Sequence, residues 1–185
     1  MNVTGSISGA VTVEDGLLAG HSTGEGTGVI TGLTEIRGGA ITPRLDGAGT
    51  FFLDGSLDFA GGGFHVTLNG VTPGLGYDEL IVTGGTSLSD NVPFSLTLGF
   101  QPEIGDKFTI VSTDTLTLNG RFNYEGDVLL EGDSFFLAPF HEFTISYAGG
   151  DGNDIDLTYL VPEPGSAALL LGGLALLCGR RRRKG

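Results

Sequence analysis

Short runs of β-forming residues, separated by glycines, repeat along the first part of this 185-residue chain. Four similar runs begin at Val11, Leu33, Leu57 and Leu80, so that their starts lie 22, 24 and 23 residues apart. A fixed period in the low twenties, made of strands and glycine turns, is typical of a β-solenoid whose coils stack on one another. Apolar and polar residues alternate within the runs, which predicts strands with one buried face. The sequence therefore predicts an all-β fold with a partial parallel β-helix (β-solenoid), and a β-sandwich or jelly roll is the alternative.

The pattern changes after Leu75, where the alternating runs become longer and phenylalanine becomes more frequent. The runs 143–147 and 155–159 flank the turn A-G-G-D-G-N-D, which predicts an antiparallel hairpin. We interpret this hairpin as part of a cap, whose antiparallel strands cover the open edge of the solenoid. The predicted divisions are β-solenoid repeats over 1–75, C-terminal coils with an antiparallel cap over 76–160, and a separate tail over 161–185.

The tail combines a proline-containing tripeptide, an uncharged apolar run and a basic cluster. Two prolines hold the backbone extended ahead of the run. The leucine-rich run from Gly165 to Gly179 predicts one short C-terminal transmembrane helix, although about 20 residues are usual for a span. The cations would stay on the cytoplasmic side, and their snorkelling side chains would compensate for the short span. The tripeptide is Pro162, Glu163 and Pro164; the helix residues are Ser166, Leu169, Leu170, Leu171, Leu174, Leu176 and Leu177; the cytoplasmic stop is Arg180, Arg181, Arg182, Arg183 and Lys184.

These three parts, in this order, resemble the PEP-CTERM sorting signal of Gram-negative bacteria. The resemblance implies export, a transient hold in the inner membrane, and cleavage by an exosortase, which is a membrane cysteine protease and transpeptidase. It also implies a final place at the cell surface or in the extracellular matrix, with biofilm and exopolysaccharide as the surroundings. The same tail is sometimes catalogued as an ice-binding protein C-terminal domain, a label that carries no statement about ice binding here.

A second resemblance covers most of the residues before the tail. It is carried by the runs N-G-V-T-P-G-L-G-Y-D-E-L-I-V-T-G, L-T-L-G-F-Q-P-E-I-G-D-K-F-T-I-V and F-T-I-S-Y-A-G-G-D-G-N-D-I-D-L-T. These runs are similar to the C-terminal region of autotransporter-associated β-strand repeat proteins, which are bacterial surface proteins. The resemblance implies a parallel β-helix without enzymatic activity of its own.

The sequence opens directly on strand-like residues, without the basic and apolar regions of a signal peptide. Because a sorting signal acts only on an exported protein, we expect the sequence to be a fragment, or its start to have been placed too late. Further repeats upstream are then expected as well.

Charge is divided sharply between the tail and the rest of the chain. The chain before Gly165 contains 22 Asp and Glu residues but only four cations, which gives it a net charge of −18. The four cations are Arg37, Arg44, Lys107 and Arg121. Nucleic acid is therefore excluded as a partner, because phosphate binding requires a basic patch. The single cysteine, Cys178, lies in the tail, so the sequence predicts neither a disulfide nor a cysteine metal site in the body.

Two short motifs suggest chemistry that their surroundings do not support. The turn G-G-D-G-N-D resembles one calcium-binding nonapeptide, with Asp151 and Asp154 as calcium candidates. Such sites form between stacked copies, and a hairpin turn explains the single copy equally well. The run G-H-S-T-G around Ser22 fits the serine-hydrolase elbow, but the glycine-rich residues after it would not form the required helix.

Other polar residues are scattered without the spacing of a site. His21, His65 and His141 share no motif, and His65 alternates within a strand pattern that places it in solvent. The threonines expected on solvent-facing strand positions do not form a regular ladder at the repeat period, so ice binding is not predicted. These threonines are Thr12, Thr34, Thr67 and Thr97. No cofactor or metal is predicted.

The sequence therefore describes the destination of the protein more fully than its activity. The first hypothesis is a structural or adhesive surface or biofilm-matrix protein that is not an enzyme. The second is a polysaccharide-binding module, and the third is a polysaccharide-degrading β-helix enzyme.

Overall fold

The computed structural model describes residues 1–20, 28–137 and 140–160. Regular secondary structure in these ranges consists of β-strands, which form three sheets that we call A, B and C. The chain visits the sheets in the same order in every coil, and each strand pairs in parallel with the strand one coil away. The predicted all-β fold is confirmed, and its stacked parallel sheets are consistent with a β-solenoid.

Five coils, each contributing one strand to sheet A, one to B and one to C, make up most of the described chain. The first two coils contain β1 (Asn2–Val3), β2 (Ser6–Ser8), β3 (Val11–Val13), β4 (Leu17–Gly20), β5 (Val29–Thr31) and β6 (Thr34–Ile36). The next three contain β7 (Ala40–Thr42), β8 (Thr50–Asp54), β9 (Ser56–Phe59), β10 (Gly63–Leu68), β11 (Glu79–Val82), β12 (Gly85–Leu88), β13 (Val92–Leu98), β14 (Lys107–Thr113) and β15 (Leu116–Leu118). The chain then forms β16 (Phe122–Tyr124), β17 (Asp127–Val128), β18 (Ser134–Leu137), β19 (His141–Gly149) and β20 (Asp154–Leu160).

The length of a coil changes along the solenoid. In sheet C, Val11 lies opposite Thr34 and Thr34 opposite Leu57, so the early coils contain 23 residues. Leu57 then lies opposite Thr86, and Thr86 opposite Leu116, which gives coils of 29 and 30 residues. The period seen in the sequence is thus confirmed only for the early coils.

The predicted start of the fourth repeat at Leu80 is wrong. The run beginning at Leu80 is β11 of sheet B, whereas the runs at Val11, Leu33 and Leu57 belong to sheet C, where their successor is β12. The physical reason is the loop 69–78, which lengthens the coil before β11 and shifts the later strands along the sequence. The sheets run without interruption past residue 75, and the proposed domain division stays a prediction.

Inward-facing side chains of all three sheets form one core. Phenylalanines dominate its C-terminal half, where Phe122 packs on Phe64 with ring centroids 5.8 Å apart and on Phe94 at 5.1 Å. The series continues into the cap through the stacked pair of Phe122 and Tyr147. Aromatic pairs at these distances stabilise a core beyond their buried area.

One of the expected solvent-facing threonines is buried. Thr34 is fully buried, because it occupies the inward position of sheet C opposite Val11 and Leu57. Thr12 and Thr97 are exposed, as expected, and Thr67 is half-buried. Thr67 and Thr97 lie opposite each other in sheet A, whereas Thr12 lies in sheet C, so the four threonines do not share a face.

Antiparallel strands close the C-terminal end of the solenoid, as predicted. In sheet B, β20 pairs with β14, and β19 and β18 follow outward; in sheet A, β17 pairs with β16. The buried hydroxyl of Tyr147 joins the cap to the last coil. It donates to the carbonyl oxygen of Leu129 at 2.8 Å and accepts from the amide of Phe122 at 3.0 Å.

Glycines at the corner between sheets B and C allow neighbouring coils to approach closely. A Cβ added at Gly55 would lie 2.1 Å from the carbonyl oxygen of Gly32 in the coil before. A Cβ at Gly84 would lie 2.7 Å from the carbonyl carbon of Gly55. Backbone atoms cannot move aside as a flexible side chain can, so these corners accept glycine alone without a shift of the coils.

We predict that Gly55→Ala lowers the free energy of unfolding by about 1–3 kcal/mol, because the methyl group must push two coils apart. Gly5→Ala is the matched control, since a Cβ at Gly5 meets no atom within 4 Å. Chemical denaturation of both variants measures the difference. Equal stability of the two variants would contradict the close approach at this corner.

Candidate functional site: the exit of the sorting tail

The last described strand ends where the predicted sorting tail begins. β20 ends at Leu160 and lies between β14 and β19 in sheet B. The amide of Tyr159 donates to the carbonyl oxygen of Asp106 at 2.9 Å, and the amide of Gly105 donates to the carbonyl oxygen of Tyr159 at 2.9 Å. β14 begins at the same end of sheet B at which β20 ends, directly after the loop 99–106 that connects it to sheet A. The tail therefore leaves the body at the corner between sheets A and B.

The side chain of Tyr159 holds this end of β20 in place. Its ring is buried and packs edge-on against Phe143, with centroids 5.3 Å apart. Its hydroxyl lies 3.2 Å from Nε2 of Gln101 and 3.1 Å from Nδ1 of His141. Two other segments, the loop 99–106 and β19, therefore converge on the residue that precedes the last described position, and the tail departs from a fixed point.

All predicted tail residues lie outside the described residues. These are the tripeptide Pro162, Glu163 and Pro164, the helix residues between Ser166 and Leu177, and the stop from Arg180 to Lys184. His21 and Ser22 of the G-H-S-T-G run lie outside them as well. Within the described ranges, the chain forms no helix that is long and apolar enough to cross a bilayer.

The calcium candidates have structural partners. Asp154 accepts a hydrogen bond from the amide of Thr113 at 2.9 Å through Oδ1. Its Oδ2 lies where a Cβ of Gly150 would be, and Gly150 has φ +55°. Asn153 donates from Nδ2 to the carbonyl oxygen of Asp114 at 2.7 Å. The turn thus attaches the cap hairpin to the end of β14, and Asp151 is exposed to solvent.

Asp156 is a buried carboxylate that the sequence did not reveal. It is fully buried, with Nζ of Lys107 at 2.5 Å from Oδ2 and the Thr109 hydroxyl donating to Oδ1 at 2.6 Å. A Cβ on Gly149 would collide with Oδ2. The first two glycines of the G-G-D-G-N-D turn, Gly149 and Gly150, are therefore explained by carboxylates of β20 that occupy the adjoining space.

Asp78 is a second buried carboxylate, at the corner between sheets A and B. It accepts backbone hydrogen bonds from Gly49 and Thr67, both at 2.8 Å. Burial raises the pKa of Asp78 to about 7, and the two N–H donors oppose this shift only in part. Asp78 fastens the long loop 69–78 to the preceding coil, which makes it a structural residue of the exit corner.

This raised pKa predicts a dependence of stability on pH. Between about pH 4 and pH 7 the folded state holds a proton that the unfolded state releases, so the stabilising contribution is lost as the pH rises through about 7. We expect the free energy of unfolding, compared with that of Asp78→Asn, to fall between pH 5 and pH 8. Denaturation of both proteins across this range measures the difference, and a difference that rises with pH would contradict the assignment.

The two histidines that the structure describes lie in different sheets, His65 in sheet A and His141 in sheet B. His65 is exposed on β10, as expected, and His141 contacts Tyr159 at the exit. Across the described ranges, no group of three or more His, Cys, Asp or Glu residues is placed to hold a metal ion.

Comparison with known proteins identifies the tail. A family model described as the PEP-CTERM protein-sorting motif matches residues 160–184. No curated protein and no solved structure matches the chain. The recognition of the sorting motif is confirmed, and the motif indicates an exported exosortase substrate that reaches the cell surface. The ice-binding label and the autotransporter-associated resemblance receive no support from these comparisons.

Sequence reasoning found the tail but missed the structure from which it emerges. Gln101, His141 and Tyr159 are far apart in the sequence, and no spacing rule connects them. For the buried Asp156 the sequence did hold a signal, because it is an acidic residue between two apolar residues of a predicted strand. A charge that is buried in such a position requires a partner.

Proposed function

We propose that this protein is exported and anchored through its tail, and that a membrane exosortase recognises Pro162-Glu163-Pro164 and removes the tail. One observation carries the proposal: the sorting motif matches from Leu160, the residue that ends the closing strand of the body. In the sequence, the sorting motif therefore follows the last strand of the body directly.

The chemistry of the tail supports this order of events. The apolar run would hold the chain in the inner membrane of a Gram-negative cell, and the basic cluster would keep its end in the cytoplasm. Prolines lack N–H donors and disfavour the continuation of a sheet, so we expect the tripeptide to be available to the enzyme. The cysteine of the exosortase would attack a bond near this tripeptide, and the body would pass to the surface.

We further propose a structural or adhesive role without enzymatic activity for the body. The stacked coils and the closed end support a rigid scaffold, and the net charge of −18 before the tail favours a hydrated surface layer over self-association. Biofilm and exopolysaccharide are the surroundings that this role would serve.

A polysaccharide-binding role is the second candidate, and one groove favours it. The groove has a volume of about 250 Å³ and lies along the corner between sheets B and C. Hydroxyl and carboxylate groups line it, including those of Ser56, Asp58, Ser87 and Thr117. Such groups exchange hydrogen bonds with sugar hydroxyls.

Replacement of Pro162, Glu163 and Pro164 by alanine tests the proposed processing. In a host with an exosortase we expect a longer product that stays in the membrane fraction, measured by immunoblot after fractionation. The matched control is Glu14→Ala/Pro93→Ala, which removes an exposed glutamate and an exposed proline of the body away from the exit and should be processed normally. Normal processing and release of the tail variant would overturn the proposal.

A further inference from the structure

Large apolar side chains are exposed around the point where the tail leaves the body. Of the ten such side chains that are exposed in the described part of the chain, five lie on loops at this corner. We call these five residues the exit rim: Leu45, Val71, Leu75, Ile104 and Phe140. Leu75 is 84% exposed, Phe140 73% and Ile104 72%, so the core gains little from them.

The topology brings four of these residues to one corner. The loops 43–49, 69–78 and 99–106 each connect a strand of sheet A to the next strand of sheet B, in three successive coils. Hydrogen bonds donated by backbone amides join the loops to one another and to the coils. Gly49 donates to Asp78 Oδ1 at 2.8 Å, and Gly99 donates to the carbonyl oxygen of Leu68 at 2.7 Å. The apolar tips therefore follow one another along the corner.

The tail leaves between two members of the exit rim. Ile104 precedes Gly105, whose amide bonds to Tyr159. Phe140 precedes β19, in which Glu142 lies opposite Leu160. The remaining rim residues continue from Ile104 toward the earlier coils, so the row of apolar tips starts at the point where the apolar tail begins.

We propose that the exit rim rests on the surface of the bilayer that holds the tail, with its aliphatic and aromatic tips in the headgroup region. This inference rests on the proposed function, because the tail supplies the anchor. The place where the described chain ends indicates the bilayer as the partner of the rim. The residues after Leu160 include the uncharged run from Gly165 to Gly179, which suits a bilayer, and the rim lies beside Leu160. Two membrane contacts together give a more stable attachment than one.

The charges near the rim define the lipid. In the sequence, Asp46, Glu103, Asp106 and Glu142 lie next to or within two positions of rim residues and outnumber the neighbouring cations Arg44 and Lys107, so the excess negative charge repels anionic headgroups. A zwitterionic surface such as phosphatidylcholine therefore fits better than an anionic one. The contact would fix the height of the sorting tripeptide at the membrane face, where a membrane-embedded peptidase acts.

Site-specific fluorescence tests this contact. In a Cys178→Ser background, Leu75→Cys, Ile104→Cys and Phe140→Cys each carry an environment-sensitive dye on the full chain, reconstituted in phosphatidylcholine liposomes. Leu33→Cys is the control, because Leu33 is exposed but lies at the corner between sheets B and C. We expect blue-shifted emission and quenching by doxyl-labelled lipid at the three rim sites, and water-like emission at the control. Adding anionic lipid should weaken the rim signals.

The outcomes separate this inference from the proposed function. Protein that floats with the liposomes but shows water-like emission at all four sites would overturn the membrane contact and leave tail anchoring intact. Protein that fails to float would contradict both. In cells, Leu75→Asp/Ile104→Asp should slow tail removal several-fold compared with Leu33→Asp at equal thermal stability, and equal rates would count against the contact.

Discussion

The close stacking of backbone on backbone at the corners is the constraint on which the rest of the structure depends. Neighbouring strands lie about 4.8 Å apart, so a coil that turns sharply places the corners of successive coils in direct contact. A Cβ at Gly55 would meet the carbonyl oxygen of Gly32 at 2.1 Å, and one at Gly39 would meet that of Gly16 at the same distance. The glycines at these corners are thus a consequence of this geometry, whereas a Cβ at Gly5 or Gly9 would meet no atom within 4 Å. Because the corners can approach, every strand can pair in register with its neighbours, and the apolar faces of three sheets meet in one core.

The same stacking leaves an open end, and its closure connects the fold to the sorting function. β20 runs antiparallel to β14 and continues sheet B toward β19 and β18, with the ion pair of Lys107 and Asp156 between β14 and β20. This closure returns the chain to the corner between sheets A and B, where contacts to the loop 99–106 and to β19 fix Tyr159. The sorting motif begins at the next residue. The position of the tail is therefore a consequence of how the solenoid is capped.

Much of this architecture could be predicted from the sequence, because local patterns determine it. The 23-residue period, the alternation within strands and the cap hairpin each depend on neighbouring residues. The position of β11 could not be predicted, because the loop 69–78 lengthens the coil while the alternation of apolar and polar residues in the strands stays the same. Thr34 was misplaced because inward and outward positions depend on register with Val11 and Leu57. Asp78 and Asp156 acquire their roles from partners far away in the sequence. The exit rim could not be predicted either, because it forms only when loops of successive coils stack at one corner.

The central claim is that the chain is a stack of parallel coils with a fixed step between them. Spin labels on the outward positions of sheet C test it most directly, because Thr12, Glu35, Asp58, Ser87 and Thr117 lie opposite one another in succession. In a Cys178→Ser background, pulsed electron spin resonance should give backbone separations of about 14 Å for labels at Thr12 and Ser87 and about 19 Å for labels at Thr12 and Thr117, one strand spacing more. Distances that do not increase by one strand spacing from the first pair to the second would contradict the stacked-coil account.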